Sequence, residues 1–121
     1  MDGTFLVEGA REGVPVPAQI ASKLRGKKFS SWGSFRRRFW QMVGRSHLFE
    51  GQFQLAELLA MRRGRAPTAR HAEQVGARKK YEIHHVERIA DGGEVYDVDN
   101  MIIVSPIFHI QAHQARKNDE R

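Results

Sequence analysis

Four of the six histidines in this 121-residue chain lie in its last third, in a segment patterned as strand, turn, strand and helix. Tyr81–Ile89 is strand-like, Asp91–Glu94 is a strong turn signal, and Asn100–Val104 is a second, short apolar strand. Residues 106–115 have the pattern of a closing helix. This segment limits the fold more than any other feature, because it predicts a hairpin followed by a helix with histidines on both.

Apolar residues at helical spacing predict three helices before that segment. The first helix ends near Gly26, the second is capped by Ser31 or Ser34 and stops at Gly44, and the third spans Phe49–Met61. The apolar residues on the predicted buried faces are, helix by helix, Val16, Ile20 and Leu24; Phe35, Phe39, Met42 and Val43; and Leu55, Leu58 and Leu59.

The length of the chain predicts one domain, because neither half could bury a sizeable core alone. We expect a single α+β domain with a loose segment at 1–13, a mostly helical scaffold with a basic loop at 14–80, and the strand–strand–helix motif at 81–115. The extended residues 14–17 open the scaffold. The absence of cysteine excludes disulfides, thiolate zinc sites and a cysteine nucleophile.

The charge is unevenly distributed along the chain. The formal net charge is +6, residues 61–80 contain seven Lys or Arg against one Glu, and residues 81–121 contain four against eight Asp or Glu. This balance favours a polyanionic partner. Arg62, Arg63 and Arg65 are the candidates for holding a phosphate backbone, and the alternative is that they form a solvated basic loop.

The spacing of three histidines predicts a metal site. His109 and His113 are four residues apart on the predicted last helix, so their Cβ atoms are about 5–6 Å apart on one face. Such a pair alone is weak evidence and is often structural or accidental. His84 on the strand adds a third imidazole, and three nitrogen ligands leave one position open, as a catalytic metal requires.

Three residues near these histidines have two interpretations each. His85 is either a general base or a strand residue bonded to a backbone carbonyl, because strand alternation sends it to the face opposite His84. Glu82 either orients a histidine or a water or holds a cation, or it is an ordinary glutamate that faces solvent. Asn100 follows a turn-rich stretch and is expected to tie the loop to itself through its amide.

The start of the last helix is a candidate anion site. Ser105 is expected to cap the helix and Pro106 to occupy its first turn. Free backbone N–H groups and the helix dipole attract an anion at such a place. A phosphodiester is the anion that best fits the basic middle of the chain.

Several linked motifs resemble one known family. The matching segments are Tyr81–His85, Gly92–Asn100, Pro106 with His109, Ile110 and His113, and upstream Val14–Pro17, Ile20–Lys27 and Ser31–Arg36. Together they resemble the HNH nuclease domain of E-type colicins and S-type pyocins, with most similarity to the pyocin branch. The resemblance covers most of residues 14–113.

The resemblance implies a ββα-metal motif on a mostly helical scaffold and a DNA endonuclease activity. His84, His109 and His113 match the metal ligands, and His85 matches the general base. Three supporting positions also match: the acidic residue at Glu82, the asparagine that braces the loop at Asn100, and a phosphate-side arginine at Arg78.

Two departures from the family concern phosphate binding. The family's domain usually begins with a basic arm, whereas this chain starts at Met1 and Asp2, so the expectation is either a removed arm or a weakened or inactive nuclease. The two residues before His109 are commonly cationic in the family, and here they are Ile107 and Phe108. Their replacement should weaken phosphate contact and flatten its salt dependence.

The leading hypothesis is metal-assisted, largely nonspecific hydrolysis of double-stranded DNA. Three imidazoles favour zinc, nickel or copper over magnesium, so we expect bound zinc or nickel, with magnesium or manganese as candidates for turnover. The alternatives are a metal-stabilised nucleic-acid-binding module or inactive nuclease that does not cut, and a basic interaction domain with incidental histidines.

The family context also implies a partner and a place of action. The partner is a small acidic immunity protein, which gives a monomer or a 1:1 complex with the inhibitor. No run reaches the roughly 18–20 apolar residues of a membrane span, and the first residues lack the order of a signal peptide. We therefore expect a protein released from the producing bacterium that acts in the cytoplasm of a target cell.

Overall fold

The computed structural model describes residues 13–47, 51, 53–87 and 94–119. Within these residues, four α-helices and a three-stranded sheet form the predicted α+β fold. The helices are α1 (Ala18–Leu24), α2 (Trp32–Arg45), α3 (Leu55–Arg62) and α4 (Pro106–Asp119), the strands are β1 (Val14–Pro15), β2 (Glu82–His85) and β3 (Met101–Val104), and short 3-10 helices span His71–Glu73 and Val98–Asn100.

The sheet places β3 between β1 and β2, antiparallel to both. The predicted strand over Tyr81–Ile89 is shorter in the structure, because the chain bends at Val86 and Glu87. The Asn100 side chain bonds both backbone groups of Glu87, which removes them from strand pairing. Residues 88–93, which include most of the predicted turn Asp91–Glu94, lie outside the described residues.

The core forms where α1 and α2 pack over the sheet. Ile20 and Leu24 of α1 are buried, and so are Phe35, Phe39 and Val43 of α2, as the helical spacing predicts. The Ser31 hydroxyl accepts a hydrogen bond from the Ser34 backbone N–H at 3.1 Å, so Ser31 is the N-cap. These helices hold the sheet in place and thereby position the histidines of β2.

The sequence predicted that α2 stops at Gly44. In the structure Gly44 lies inside the helix, which ends at Arg45. A Cβ atom at Gly44 would lie 2.8 Å from the Met61 Cβ atom and 3.2 Å from the Arg62 backbone nitrogen. The glycine is therefore needed for the close approach of α3 to α2, and its role is packing rather than termination.

Replacing Gly44 by alanine should lower the free energy of unfolding by about 1–3 kcal/mol, because the added methyl group overpacks the contact between α2 and α3. Urea denaturation measures the change. Gly33→Ala in the same helix is the matched control, since the nearest atom to its added Cβ is the Ser31 hydroxyl oxygen at 3.9 Å. The control should be neutral or stabilising by up to about 1 kcal/mol. Equal effects of the two substitutions would contradict the packing role of Gly44.

The third helix differs from its prediction in length and in its buried face. It begins at Leu55 rather than Phe49, and Gly51 has a positive φ of +84°. Leu55 and Leu59 were predicted to be buried, but they are 67% and 46% exposed. The helix packs through Met61, which is fully buried at its C-terminal end. No helix of the described part of the chain is long and apolar enough to cross a membrane.

The last helix confirms the prediction and extends it to Asp119. Its start differs in detail, because Ser105 and Pro106 are buried. The Ser105 hydroxyl has no hydrogen-bond partner among the described residues, so the predicted side-chain cap is not made. A buried start is also poorly accessible to the phosphodiester that the sequence suggested for it.

Tyr81 precedes β2 and is buried, and its hydroxyl has no hydrogen-bond partner among the described residues. Burial, reinforced by the charge of Glu73, raises the pKa of Tyr81 to about 12. The folded state therefore keeps this proton after the unfolded chain, with its pKa near 10, has lost it.

We expect stability to fall by up to about 2 kcal/mol as the pH rises from 10 to 12, because ionisation favours the unfolded chain. Tyr81→Phe should remove this loss and leave stability at pH 7 equal or higher, since the buried hydroxyl is deleted together with its desolvation cost. Urea denaturation at several pH values measures both effects. A variant that loses stability at pH 7 would contradict this account of the hydroxyl.

Candidate metal centre

Three imidazoles from two elements meet at one point of the structure. His84 on β2 is 5% exposed, while His109 and His113 lie one turn apart on α4. One ring nitrogen from each lies within 4.8 Å of the other two, and the Nε2 atoms of His109 and His113 are 3.1 Å apart. Helix periodicity aligns the pair on α4, and the packing of α4 against β2 brings in His84.

This donor set fits a divalent transition metal ion. Two nitrogens bound to one zinc ion at about 2.0–2.1 Å each lie at most ~4 Å apart, which accommodates the 3.1 Å between His109 and His113. Three neutral imidazoles suit zinc, nickel or copper better than magnesium. They also leave a coordination position for a water or a substrate oxygen. The site is therefore a candidate metal centre of the open, catalytic type.

Glu82 orients one of the histidines. Its Oε1 atom accepts a hydrogen bond from His109 Nδ1 at 2.8 Å, which directs Nε2 of that ring toward His113. Arg78 holds the same carboxylate through two hydrogen bonds. Burial acts to raise the pKa of Glu82, but the hydrogen bonds from Arg78 and His109 outweigh burial and place the pKa below its usual value. Glu82 is thus an ionised carboxylate that fixes a metal-binding tautomer of His109.

His85 lies outside the three-imidazole group. Its Nε2 atom is 2.9 Å from the Val95 carbonyl oxygen, and its ring packs on Trp32 with centroids 5.0 Å apart. Since a carbonyl can only accept, Nε2 carries the proton in this contact, and Nδ1 of the neutral ring is able to accept one. The carbonyl bond agrees with the structural interpretation of His85, and it leaves Nδ1 available for a second contact.

The Asn100 side chain joins the two ends of the loop between β2 and β3. Its Nδ2 atom donates to the Glu87 carbonyl at 2.9 Å, and its Oδ1 atom accepts from the Glu87 backbone N–H at 2.7 Å. Both residues lie in the loop between β2 and β3, so the amide ties this loop to itself beside the ends of the two strands.

An ion pair that holds the same loop was not predicted from the sequence. Arg25, just after α1, binds Asp99 through two hydrogen bonds of 3.0 and 2.8 Å. No local signal marks this pair, because 74 residues separate its members. It anchors the segment before β3 to the helical scaffold.

The arginines predicted to hold phosphate occupy different environments. Arg62 donates from Nε to the Gly44 carbonyl at 3.2 Å, which ties α3 to α2, and Arg63 is exposed. Arg65 and Arg78 border a cavity of about 640 Å³ that also touches Glu82 and His109. We call it the cationic cavity, and its lining residues are Trp32, Arg36, Trp40, Gly64, Arg65, Ala66, Ala77–Ile83 and His109. Trp32, Arg36, Lys79 and Lys80 were not among the predicted site residues.

Comparison with known sequences identifies relatives over most of the chain. Residues 2–115 match the family described as Colicin/Pyocin-S2, DNase domain. The chain is 49% identical to Pyocin-S2 of Pseudomonas aeruginosa over 106 residues, which are 88% of this chain and 15% of that protein. It is 37% identical to Colicin-E2 of Escherichia coli over 108 residues, 89% of this chain and 19% of that protein. The chain thus spans less than a fifth of the length of these two curated relatives.

Two solved structures have a similar fold. The DNase–immunity complex of pyocin AP41 matches with a TM-score of 0.84 and 38% identity, over 94% of this chain and 86% of that one. The mutant nuclease domain of pyocin S8, solved with its cognate immunity protein, matches with a TM-score of 0.82 and 46% identity, over 87% and 86% of the two chains.

Proposed function

The chain belongs to the colicin and pyocin DNase-domain family, and we propose that it is a metal-dependent, HNH-type endonuclease that hydrolyses DNA largely without sequence specificity. The observation that carries this proposal is the convergence of His84, His109 and His113 beside an ionised Glu82. We propose that these three imidazoles are the metal ligands and that zinc or nickel is the ion they hold. Magnesium or manganese is the alternative ion for turnover.

The proposed mechanism assigns one task to each residue. A divalent ion at this site would supply positive charge to a phosphoryl oxygen and to the leaving 3′-oxygen. His85 accepts the proton of the attacking water at Nδ1, while the Val95 carbonyl holds the opposite side of the ring. Glu82 keeps His109 in its ligating orientation, and Asn100 fixes the spacing of the two strands.

Backbone contacts are assigned to the exposed cations. Arg63 and Arg65 are exposed, Arg65 lines the cationic cavity, and Arg78 lines it too with its guanidinium on Glu82. Contacts of this kind to phosphates position DNA without reading bases. Arg62 contributes less, because its Nε atom is bonded to the Gly44 carbonyl.

Replacing Glu82 by glutamine should weaken metal affinity by about 10–100-fold, because the neutral amide no longer strengthens His109 as a ligand. Calorimetric titration with zinc measures the affinity. Glu94→Gln is the matched control on an exposed glutamate, and it should bind zinc as the unchanged protein does. An unchanged zinc affinity in Glu82→Gln would show that Glu82 does not support the metal ligands.

We further propose a small acidic immunity protein as the partner of this domain in a 1:1 complex. Both solved relatives are complexes of a pyocin nuclease with an immunity protein. The formal net charge of +6 would steer an acidic inhibitor toward the domain. The proposed place of action is the cytoplasm of a target cell, after release from the producing bacterium.

One observation favours a second candidate function, a metal-stabilised module that binds DNA without cutting it. Ile107 and Phe108, in the first turn of α4, are half-buried apolar residues next to His109. These two side chains provide no positive charge for a DNA phosphate beside the three histidines. Binding of that phosphate therefore depends on the cations of the cationic cavity.

A plasmid-nicking assay separates the two functions. The nuclease proposal predicts conversion of supercoiled to nicked plasmid when zinc, nickel, magnesium or manganese is added, and loss of conversion with a chelator. A gel shift without nicking under every one of these ions would establish the binding module instead.

A further inference from the structure

The cationic cavity is a second feature of the site that the proposed mechanism leaves largely unused. It reaches the metal centre through Glu82 and His109, and its volume of about 640 Å³ lies within the range of small-ligand sites. A space of this volume is large enough for one unpaired nucleotide.

The charge of the cationic cavity is uncompensated. Five Lys or Arg side chains border it against a single carboxylate, Glu82, which is already bonded to Arg78 and His109. The other four cations, Arg36, Arg65, Lys79 and Lys80, form no ion pair with any of the residues that the structure describes. Such a lining attracts an anion that carries several phosphate oxygens.

One aromatic ring on the wall is held in place and remains partly accessible. Trp32 stacks on Phe35 with centroids 5.1 Å apart and an interplanar angle of 22°, and its ring also contacts His85. Trp32 is half-buried, whereas Trp40, the other tryptophan of the wall, is 1% exposed. A rigid, partly open indole beside unpaired cations is the combination with which proteins bind single nucleic-acid strands.

We propose that the cationic cavity binds one unpaired nucleotide of the strand being cut, with its base stacked on Trp32 and its phosphate held by Arg36 and Lys80. The inference rests on the proposed nuclease function and adds a nucleotide subsite next to the scissile phosphodiester. To fill this subsite, duplex DNA must unpair and unstack one base. This step costs free energy in a duplex, and it costs least in a single strand, whose bases are already unpaired.

An abasic scan tests the subsite without any catalysis. The metal-free protein is titrated with a short fluorescein-labelled oligothymidylate, and each base is removed in turn while the phosphates remain. Loss of the stacked base should weaken binding by about 5–150-fold at one position of the oligonucleotide. Equal affinity for every abasic version would overturn the proposal, because the cavity would then hold phosphates alone.

Protein variants locate the stacked base. Trp32→Ala should abolish the difference between the intact and the abasic oligonucleotide, and Trp32→Phe should restore part of it, because a phenyl ring still stacks. Arg36→Ala should weaken binding of both oligonucleotides, while Arg38→Ala, an exposed arginine of the same helix outside the cavity, should weaken it less. A base-dependent difference that persists in Trp32→Ala would also overturn the proposal.

The outcomes distinguish this inference from the nuclease proposal. Nicking by the unchanged protein, together with equal affinity for all abasic oligonucleotides, would refute the subsite and leave the nuclease intact. A position-specific abasic effect in a protein that never nicks would support the subsite and refute the nuclease.

Discussion

His85→Ala should lower the rate of plasmid nicking by about 10²–10⁴-fold, the range in which a general base contributes. The variant loses an imidazole that is held by a backbone carbonyl and lies outside the three-histidine group. Its metal affinity should stay unchanged, since His84, His109 and His113 are all retained. Timed gel assays of plasmid conversion measure the rate, and calorimetric titration with zinc measures the affinity.

The control for this variant is His71→Ala, which removes an exposed imidazole on the 3-10 helix that is not part of the three-histidine group. It should nick plasmid as fast as the unchanged protein. If His85→Ala keeps more than about a tenth of the rate, His85 is not the base. If His85→Ala also binds metal more weakly, the loss of nicking would result from impaired metal binding rather than from the loss of a base.

His113→Ala should weaken metal affinity by more than about 100-fold, beyond the effect of losing a residue that only supports a ligand. His113 is the best of the three for this test because it is exposed, so its truncation disturbs the core least, whereas His84 is buried. Calorimetric titration with zinc measures the change, and nicking at low metal concentration should fall in parallel.

Circular dichroism and urea denaturation of the metal-free His113→Ala variant serve as its folding control, and both should match the metal-free parent. A folded variant that binds zinc as tightly as the parent would exclude His113 from the site. In that case the geometry of α4 would reflect packing alone.

The part of the site that could be predicted from the sequence is the part encoded locally. The spacing of His109 and His113 follows from helix periodicity, and the strand pattern at Glu82–His85 follows from residue type and alternation. The meeting of β2 and α4 at one point was expected from the resemblance and agrees with the fold of pyocin nuclease domains.

The parts that sequence reasoning missed depend on contacts between distant segments. The apolar spacing of Leu55 and Leu59 predicted burial, yet α3 packs through Met61 against Gly44, and spacing alone does not identify which face finds a neighbour. The carbonyl that holds His85 belongs to Val95, ten residues away, and its aromatic neighbour is Trp32. Neither contact has a local signature.

The proposed function depends on the binding of one divalent ion by His84, His109 and His113. X-ray absorption spectroscopy of the protein loaded with one equivalent of zinc can identify these ligands, because imidazoles give a characteristic scattering pattern. We expect three imidazole nitrogens at about 2.0–2.1 Å from the ion and a fourth, light ligand that varies with the buffer. A spectrum with one imidazole or none, or a protein that retains no stoichiometric zinc, would contradict it.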